Sequence, residues 1–430
     1  MTLTAYQSHV ISWNITKRCN LACEHCYLES GPIRHRDELA GELSTEECFG
    51  VVDSILTVNP QALLILTGGE PFLRPDVFEI AGYASNKGLW VVVGTNGVLI
   101  SDALLDRAES AGIRGLSLSL DSLDADVHDR FRRVRGAFDN TVNGARLLAA
   151  RGLPFIVQTT VHRDNIHQLE QLAEMACELG ARVFNLYFLV ATGRGQFVTD
   201  IEPEAYETVL QRLYDMQKSF LGRMMVNSKC APHYQRVLHQ REPESVQSKA
   251  FTAGAGGCPA GTHYCGIRPN GDVTPCPYLP EYGGNLRQQS FSEIWHGSTL
   301  FNEIRDRSNL GGRCGQCEFA EVCGGCRARA FGAGSGLMAE DPWCVYEPGG
   351  AAVPAPFVTY GKPSESNIYW TPAAKERLER IPSFVRGMVV QRVERYAADH
   401  GKTMITVEMM HEIRERMGAR FGGAPSFLRK

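Results

Sequence analysis

No block of basic residues runs anywhere along this sequence, so it offers no electrostatic footprint for nucleic acid. No apolar stretch exceeds strand length, so no segment is expected to span a bilayer. The first residues, Met1 to His9, lack a charged start followed by an apolar run, and no secretory signal is expected. Without an oxidising destination, the fourteen cysteines are not read as disulfides. They are expected to stay reduced, as metal ligands, in the cytoplasm. No tandem repeat is evident. The net charge of −4, with 43% hydrophobic and 21% charged residues, is that of an ordinary soluble globular chain. At 430 residues it is long enough for two or three domains and a large core.

What the chain does have is cysteine in clusters. Cys19, Cys23 and Cys26 stand as C-x3-C-x2-C just after the apolar stretch Val10 to Ile15. A complete zinc or cubane site needs four ligands. Three leave one metal corner open, where a substrate or cosubstrate can bind; the bland alternative is a structural zinc loop. Further along, the apolar run Ala62 to Leu66 ends in Thr67-Gly68-Gly69-Glu70-Pro71. Alone that is a turn, but its glycines let backbone approach closely and its carboxylate can accept from an ammonium group. Val91 to Gly94 runs into Thr95-Asn96-Gly97. Leu116 to Asp121 has a period of two that puts Ser117, Ser119 and Asp121 on one face of a strand.

Together these motifs resemble the radical S-adenosylmethionine (SAM) enzymes. The resemblance implies that Cys19, Cys23 and Cys26 hold a [4Fe-4S] cluster whose fourth iron chelates SAM. It implies reductive cleavage of SAM to a 5′-deoxyadenosyl radical, which takes a hydrogen atom from substrate. Gly68, Gly69 and Glu70 match the motif that meets the SAM amino group. Asn96 joins them at the same mouth, and Ser119 and Asp121 fall near the ribose and carboxylate. Gln158, Thr160 and the strand Val183 to Val190 are further candidates for that surface. An oxygen-poor setting follows from the same resemblance.

Strand-sized runs at His9–Ile15, Ala62–Thr67, Trp90–Gly94, Gly115–Leu120, Phe155–Val161 and Val183–Val190 alternate with helical patterns. The helices are expected at Thr45–Leu56, Asp76–Lys87, Asp102–Ala111, Asn140–Ala150, Ile166–Leu179 and Pro203–Lys218, the first opened by a Ser44 capping box. Six β-α alternations predict parallel strands and right-handed crossovers. The fold class is therefore α/β: a partial (β/α)6 TIM-like barrel over residues 1–220, with its site at the strands' C-terminal ends. Residues 221–346 are expected as a polar bridge, including the Gly/Ala run 253–257, and a cysteine-rich extension. Residues 347–366 read as a linker and 367–430 as a small all-helical domain.

The extension carries Cys258, Cys265, Cys276, Cys314, Cys317, Cys323, Cys326 and Cys344, enough thiols for two cubane clusters. A zinc ribbon pairing Cys314 and Cys317 with Cys323 and Cys326 is the alternative. Gly271-x4-Cys276 and Cys314-x2-Cys317-x5-Cys323 resemble the SPASM extension of radical SAM enzymes, which implies two auxiliary [4Fe-4S] clusters. Carried over by position, one takes Cys258, Cys265, Cys276 and Cys326, and the other Cys314, Cys317, Cys323 and Cys344. Gly324-Gly325 makes the gap before Cys326 shorter than usual, which leaves the split open. Cys48 and Cys177 read as ordinary buried residues and Cys230 as a free thiol.

After residue 366, Thr371-Pro372 opens a helical piece in which Leu378, Ile381, Val385, Met388, Val389, Val393 and Tyr396 recur at helical spacing; Met409, Ile413 and Met417 lie on a last helix capped by Thr406. It resembles the small C-terminal domain of the light-independent protochlorophyllide reductase B subunit, which lies near a tetrapyrrole. Gly324 to Ala330 and Glu340 to Cys344 look most like the SPASM enzymes of alternative haem and haem d1 synthesis. The resemblance implies an oxidoreductase that trims side chains of an iron porphyrinoid, supplied with electrons by a ferredoxin or flavodoxin. Arg130, Arg132, Arg133, Arg135 and Arg194 are candidate partners for its carboxylates. A maturase acting on a ribosomal peptide is the alternative substrate reading. A non-catalytic electron carrier is a third, opposed by the three-cysteine loop.

Overall fold

Alternation along the first strand sets the plan of the molecule. In β1 (Val10–Thr16), Ile11, Trp13 and Ile15 are buried in the apolar layer under the helices, while Ser12, Asn14 and Thr16 face the other way. A fully buried side chain of this size contributes about 1.5–3 kcal/mol. The computed structural model describes residues 6–33, 35, 39–197, 201–243, 257–353, 368–381 and 383–420. Strands β2 (Leu63–Gly68), β3 (Trp90–Thr95), β4 (Leu116–Ser119), β5 (Phe155–Val161) and β6 (Val183–Phe188) follow in spatial order, all parallel. Helices α1 (Thr45–Leu56), α2 (Val77–Asn86), α3 (Asp102–Ser110), α4 (Ala125–Arg132), α5 (Ala137–Ala150), α6 (Leu169–Glu178) and α7 (Pro203–Ser219) make the crossovers. Ser44 and Glu47 close the expected capping box on α1.

The stretch after residue 220 departs from the expected featureless bridge. Met225–Lys229 forms β7, parallel to β6, so that among the described residues a further parallel strand follows the six expected. Helix α8 (Tyr234–Arg241) follows. Residues 253–256 of the expected Gly/Ala run lie outside the described residues.

The cysteine-rich extension continues the same sheet. β8 (Tyr264–Ile267) pairs parallel to β1, β9 (Asp272–Thr274) turns back antiparallel to β8, and β10 (Gly284–Asn285) pairs with β9. Among the described residues the strands of this sheet run in the order β10-β9-β8-β1-β2-β3-β4-β5-β6-β7. Helices α9 (Phe291–Gly297), α10 (Thr299–Arg305), α11 (Gly312–Gln316) and α12 (Arg327–Gly332) complete this region.

The C-terminal piece holds α13 (Pro372–Glu379), α14 (Ser383–Asp399) and α15 (Val407–Arg420), with a two-strand pairing of β11 (Tyr369–Trp370) and β12 (Met404–Ile405). Trp370, Leu378, Val390, Val393, Ile405 and Ile413 form its own core. The side chains of Val385, Met388 and Met417, and residues 354–367 of the linker, lie outside the described residues. This unit docks on the floor of the barrel. Asn59 donates to Ser383 Oγ at 3.2 Å, Ser383 donates to the Gln61 carbonyl at 2.9 Å, and Gln61 donates to the Glu379 carbonyl at 3.0 Å. Asn59 and Gln61 precede β2, opposite the end where the cysteine loop emerges. Among the described residues, no helix is long and apolar enough to cross a membrane.

Candidate functional site

β1 ends at Thr16, and the chain turns at once into the cysteine loop, closed by the Cys19 N–H to Gly31 carbonyl bond of 2.9 Å. Every sulfur of the trio receives a hydrogen-bond donor. The Leu21 N–H lies 3.4 Å from Cys19 Sγ, the Ser30 N–H 3.3 Å from Cys26 Sγ, and Arg132 Nη1 3.6 Å from Cys23 Sγ. Donors aimed at sulfur suit charged thiolates, not neutral thiols. Burial, with the nearby Glu70 carboxylate and the other two thiols, pushes the Cys19 thiol up to about 12, so something more must hold it ionised. A metal cluster does that. The residues present therefore fit a cluster held by Cys19, Cys23 and Cys26.

The Gly-Gly-Glu turn after β2 is clamped onto this loop. Gly69 N–H bonds the Thr16 carbonyl and Glu70 N–H the Arg18 carbonyl, both at 2.8 Å. A Cβ on Gly69 would stand 2.1 Å from the Arg18 carbonyl oxygen, so close chain packing, before any ligand, demands glycine here. Glu70 is fully buried. Its carboxylate accepts from the Thr95 hydroxyl at 2.8 and 2.9 Å, from Asn96 N–H at 2.9 Å and from Phe72 N–H at 3.2 Å. Burial, only partly offset by these bonds, raises its pKa to about 7. These bonds tie the ends of β2 and β3 together around the residue expected to accept from an ammonium group. Asn96 is likewise engaged: its Nδ2 donates to Asn20 Oδ1 at 2.8 Å and lies 3.9 Å from Cys19 Sγ.

Asp121, expected near the ribose and carboxylate of SAM, is buried and paired as well. It lies just past β4 with no solvent contact; its Oδ2 accepts from Arg132 Nε at 2.7 Å and its Oδ1 from Thr160 N–H at 2.8 Å. Burial would raise its pKa, but the Arg132 charge overrides that and holds it at about 2. Asp121 thus reaches the cysteine loop through Arg132. Ser119 ends β4 half-buried beside Gln158, at the same mouth.

The arginines expected to meet substrate carboxylates divide. Arg132 is buried against Asp121 and Cys23. Arg194 donates to the carbonyls of Cys23 at 2.9 Å and Ser30 at 2.7 Å, bracing the cysteine loop from behind. Arg133 pairs with Glu24 at 3.7 Å. Arg130 and Arg135 are exposed. The sequence missed a different cation. Lys229 ends β7 in register with Tyr187, keeps exposed surface, yet is enclosed enough that burial lowers its pKa. By the alternation of β7, Lys229 shares with Asn227 and Tyr187 the face opposite Val226, the face turned to the inside of the barrel. Tyr27, Tyr187, Tyr264 and Tyr278 adjoin the same space; Tyr27 and Tyr278 meet with ring centroids 4.7 Å apart, and the Tyr27 hydroxyl donates to Asn14 at 2.6 Å.

The auxiliary cysteines form two groups. Cys314, Cys317, Cys323 and Cys344 line one cavity, with Arg236 and Tyr346 beside them. The Phe319 N–H lies 3.4 Å from Cys317 Sγ and the Asp341 N–H 3.5 Å from Cys314 Sγ. Cys258, Cys276 and Cys326 pack together in a separate apolar cluster. The zinc-ribbon pairing is therefore not formed, because Cys326 turns away from Cys314, Cys317 and Cys323. Cys265 does not join either group. Register pairs it with Ile11, so the pleat sends its side chain into the layer under the helices, 3.6 Å from Ser8 Oγ. Its position in β8 fixes that direction, apart from the Cys258, Cys276 and Cys326 with which it was expected to group.

A cysteine trio on a parallel barrel, mouth to mouth with a Gly-Gly-Glu turn and backed by two further cysteine groups, defines a radical SAM enzyme. The Radical SAM superfamily model matches residues 13–176, and the iron-sulfur cluster-binding domain model called SPASM matches 258–318. The model of the proto-chlorophyllide reductase 57 kD subunit matches 370–414. The "AdoMet-dependent heme synthase" of Methanosarcina barkeri is 40% identical over 345 residues, covering 79% of this chain and 97% of that protein. The protein of the same name from Nitratidesulfovibrio vulgaris is 40% identical over 347 residues, 79% of this chain and 92% of that one. The structure of Streptococcus suis SuiB bound to S-adenosylmethionine shares the fold, with a TM-score of 0.64 at 17% identity, covering 79% of this chain and 78% of that one. The chain belongs to the SPASM-bearing family of radical SAM enzymes that includes the AdoMet-dependent heme synthases. Its cofactors are SAM and [4Fe-4S] clusters.

Proposed function

We propose that this enzyme modifies the carboxylated side chains of an iron porphyrinoid on the route to haem, by decarboxylation or side-chain removal. The kinship to the heme synthases, which runs through both barrel and extension, supports this substrate class over a peptide. A [4Fe-4S] cluster at Cys19, Cys23 and Cys26 supplies, when bound, the electron that cleaves SAM. Gly68, Gly69, Asn96 and Ser119 are the groups proposed to touch SAM. Glu70 and Asp121 hold them and the cysteine loop in place. Lys229, on the inward face of β7, is proposed to pair with a substrate carboxylate inside the barrel, and the half-buried tyrosines offer flat apolar walls to a macrocycle.

Two auxiliary [4Fe-4S] clusters are proposed in residues 221–346, after a barrel assigned to 1–220 and extended by β7. Residues 347–366 join this part to the helical unit at 367–430. A ferredoxin or flavodoxin would serve as electron donor, in the cytoplasm. The test is anaerobic incubation with SAM, a strong reductant and an iron porphyrin bearing propionates or a sirohaem-derived macrocycle. The expected outcome is a shifted Soret band, 5′-deoxyadenosine, and a product lighter by carboxyl or acetate carbon. No Soret shift, with SAM cleavage stimulated by a Cys- or Tyr-containing peptide, would replace the porphyrinoid with a peptide substrate.

A further inference from the structure

We infer that Cys230 is the fourth thiolate of the auxiliary site formed by Cys258, Cys276 and Cys326, in place of Cys265. The inference rests on the reading that the extension carries a [4Fe-4S] cluster at those three residues, and it names the residue that completes it.

The packing carries the assignment. Cys230 lies against the same buried cluster that contains Cys258, Cys276 and Cys326, walled by Val190, Ala260, Leu279 and Ala328. Its thiol is within electrostatic reach of Cys326 and Cys276, as Cys258 is of the same two. Cys265 shows no such neighbours; Ser8 and Arg305 are the groups acting on it. A cubane fully held by protein needs four sulfurs around one space, and these four are the ones that share it.

The backbone is built to the same end. Cys230 adopts φ +58°, a left-handed conformation that is costly for a residue with a Cβ and is kept where surrounding contacts dictate it. The contact here is Arg329, whose Nη2 donates to the Cys230 carbonyl at 2.7 Å. The same guanidinium pairs with Asp341 at 2.9 Å, and Asp341 accepts the Cys326 N–H at 2.8 Å. One buried Arg–Asp pair therefore fixes Cys230 and Cys326 relative to each other. Such outer hydrogen bonds orient metal ligands and tune the site. The positive charge of Arg329 also offsets negative charge at the gathered thiolates.

The test uses the full chain, reconstituted anaerobically, as wild type and as Cys230→Ala, Cys230→Ser, Cys265→Ala and Cys276→Ala. Iron and sulfide per chain and the EPR spectra of oxidised and reduced protein are the readouts. The N-terminal cluster, recognised by its spectral response to SAM, is the internal control for folding. Cys265→Ala should keep the full iron content and unchanged spectra. Both Cys230 variants should lose between one and about four irons, or give a [3Fe-4S] signal, while the SAM-responsive cluster persists. Iron loss in Cys265→Ala with both Cys230 variants intact would overturn the assignment. So would full iron in both Cys230 variants when Cys276→Ala loses a cluster. If Cys276→Ala also keeps all its iron, the auxiliary-cluster reading itself fails and takes the assignment with it.

Discussion

Arg132 and Asp121 form an ion pair almost wholly out of water, with Nε 2.7 Å from Oδ2 and side-chain exposures of 8% and 0%. The other face of the guanidinium lies 3.6 Å from Cys23 Sγ. Asp121→Asn leaves that buried charge without its partner. The expected loss is about 3–5 kcal/mol in urea unfolding of the metal-free protein, together with poorer retention of the N-terminal cluster. The wild-type pair has an acid limit. Because the Asp121 pKa is depressed to about 2, its contribution is present above the ordinary carboxylate value and is lost as pH falls through about 2. An unchanged unfolding curve in Asp121→Asn would contradict this account.

Glu70 predicts the opposite pH sense. Its pKa is raised to about 7, so its favourable state is fully present below the ordinary value and is lost as pH rises through about 7. Glu70→Gln should abolish that dependence. It also sets an amide N–H against the Asn96 or Phe72 N–H, costing roughly 1–3 kcal/mol. Both effects are read by thermal unfolding of the metal-free protein across pH. If Glu70 acted on SAM directly, SAM affinity would fall and the unfolding curves would stay superimposed.

Lys229→Met removes the cation in the barrel hollow. Soret titration should show macrocycle affinity reduced by about 1–3 kcal/mol, the scale of a charge-assisted hydrogen bond. SAM affinity should not change, and a propionate-esterified macrocycle should bind both proteins alike. Equal affinity of the free-acid macrocycle for both proteins would remove Lys229 from the substrate site.

Ending the chain at Ser366 removes the C-terminal helices. They dock on Asn59 and Gln61, below the strands, so SAM cleavage and the macrocycle Soret shift should both survive. A lower thermal midpoint is the expected cost, since the Ser383 and Arg386 contacts with the barrel are lost. Loss of macrocycle binding in the truncated protein would mean that these helices serve the mouth and not the floor.

Most of the barrel could be read in advance because its strands and helices carry strong apolar periods; β5 and α1 fall on the expected residues. β7 escaped because an edge strand of five residues, with Met225 exposed and Asn227 and Lys229 facing inward, has almost no apolar alternation to find. α4 was hidden in a charged run, and its Arg132, read as a candidate partner for substrate carboxylates, is buried by the fold. The directions of the Cys265 and Cys230 side chains were hidden for a simpler reason. Spacing gives the order of thiols along the chain but not their direction, which for Cys265 depends on pairing with Ile11 and for Cys230 on a left-handed turn held by Arg329. Glu70 and Asp121 lay at the right place for cofactor contact, but only their hydrogen-bond partners reveal that both are already engaged.

The ladder between β1 and β8 has a bearing on solubility. An open barrel ends in a strand whose outer N–H and C=O groups would recruit any extended chain that came near. Here that rim is Val10 to Trp13, the strand that delivers the cysteine loop, and it is covered by Tyr264 to Ile267. The cysteine-rich extension is thus also a lid on a sticky margin, and a barrel expressed without it would present that margin to its neighbours.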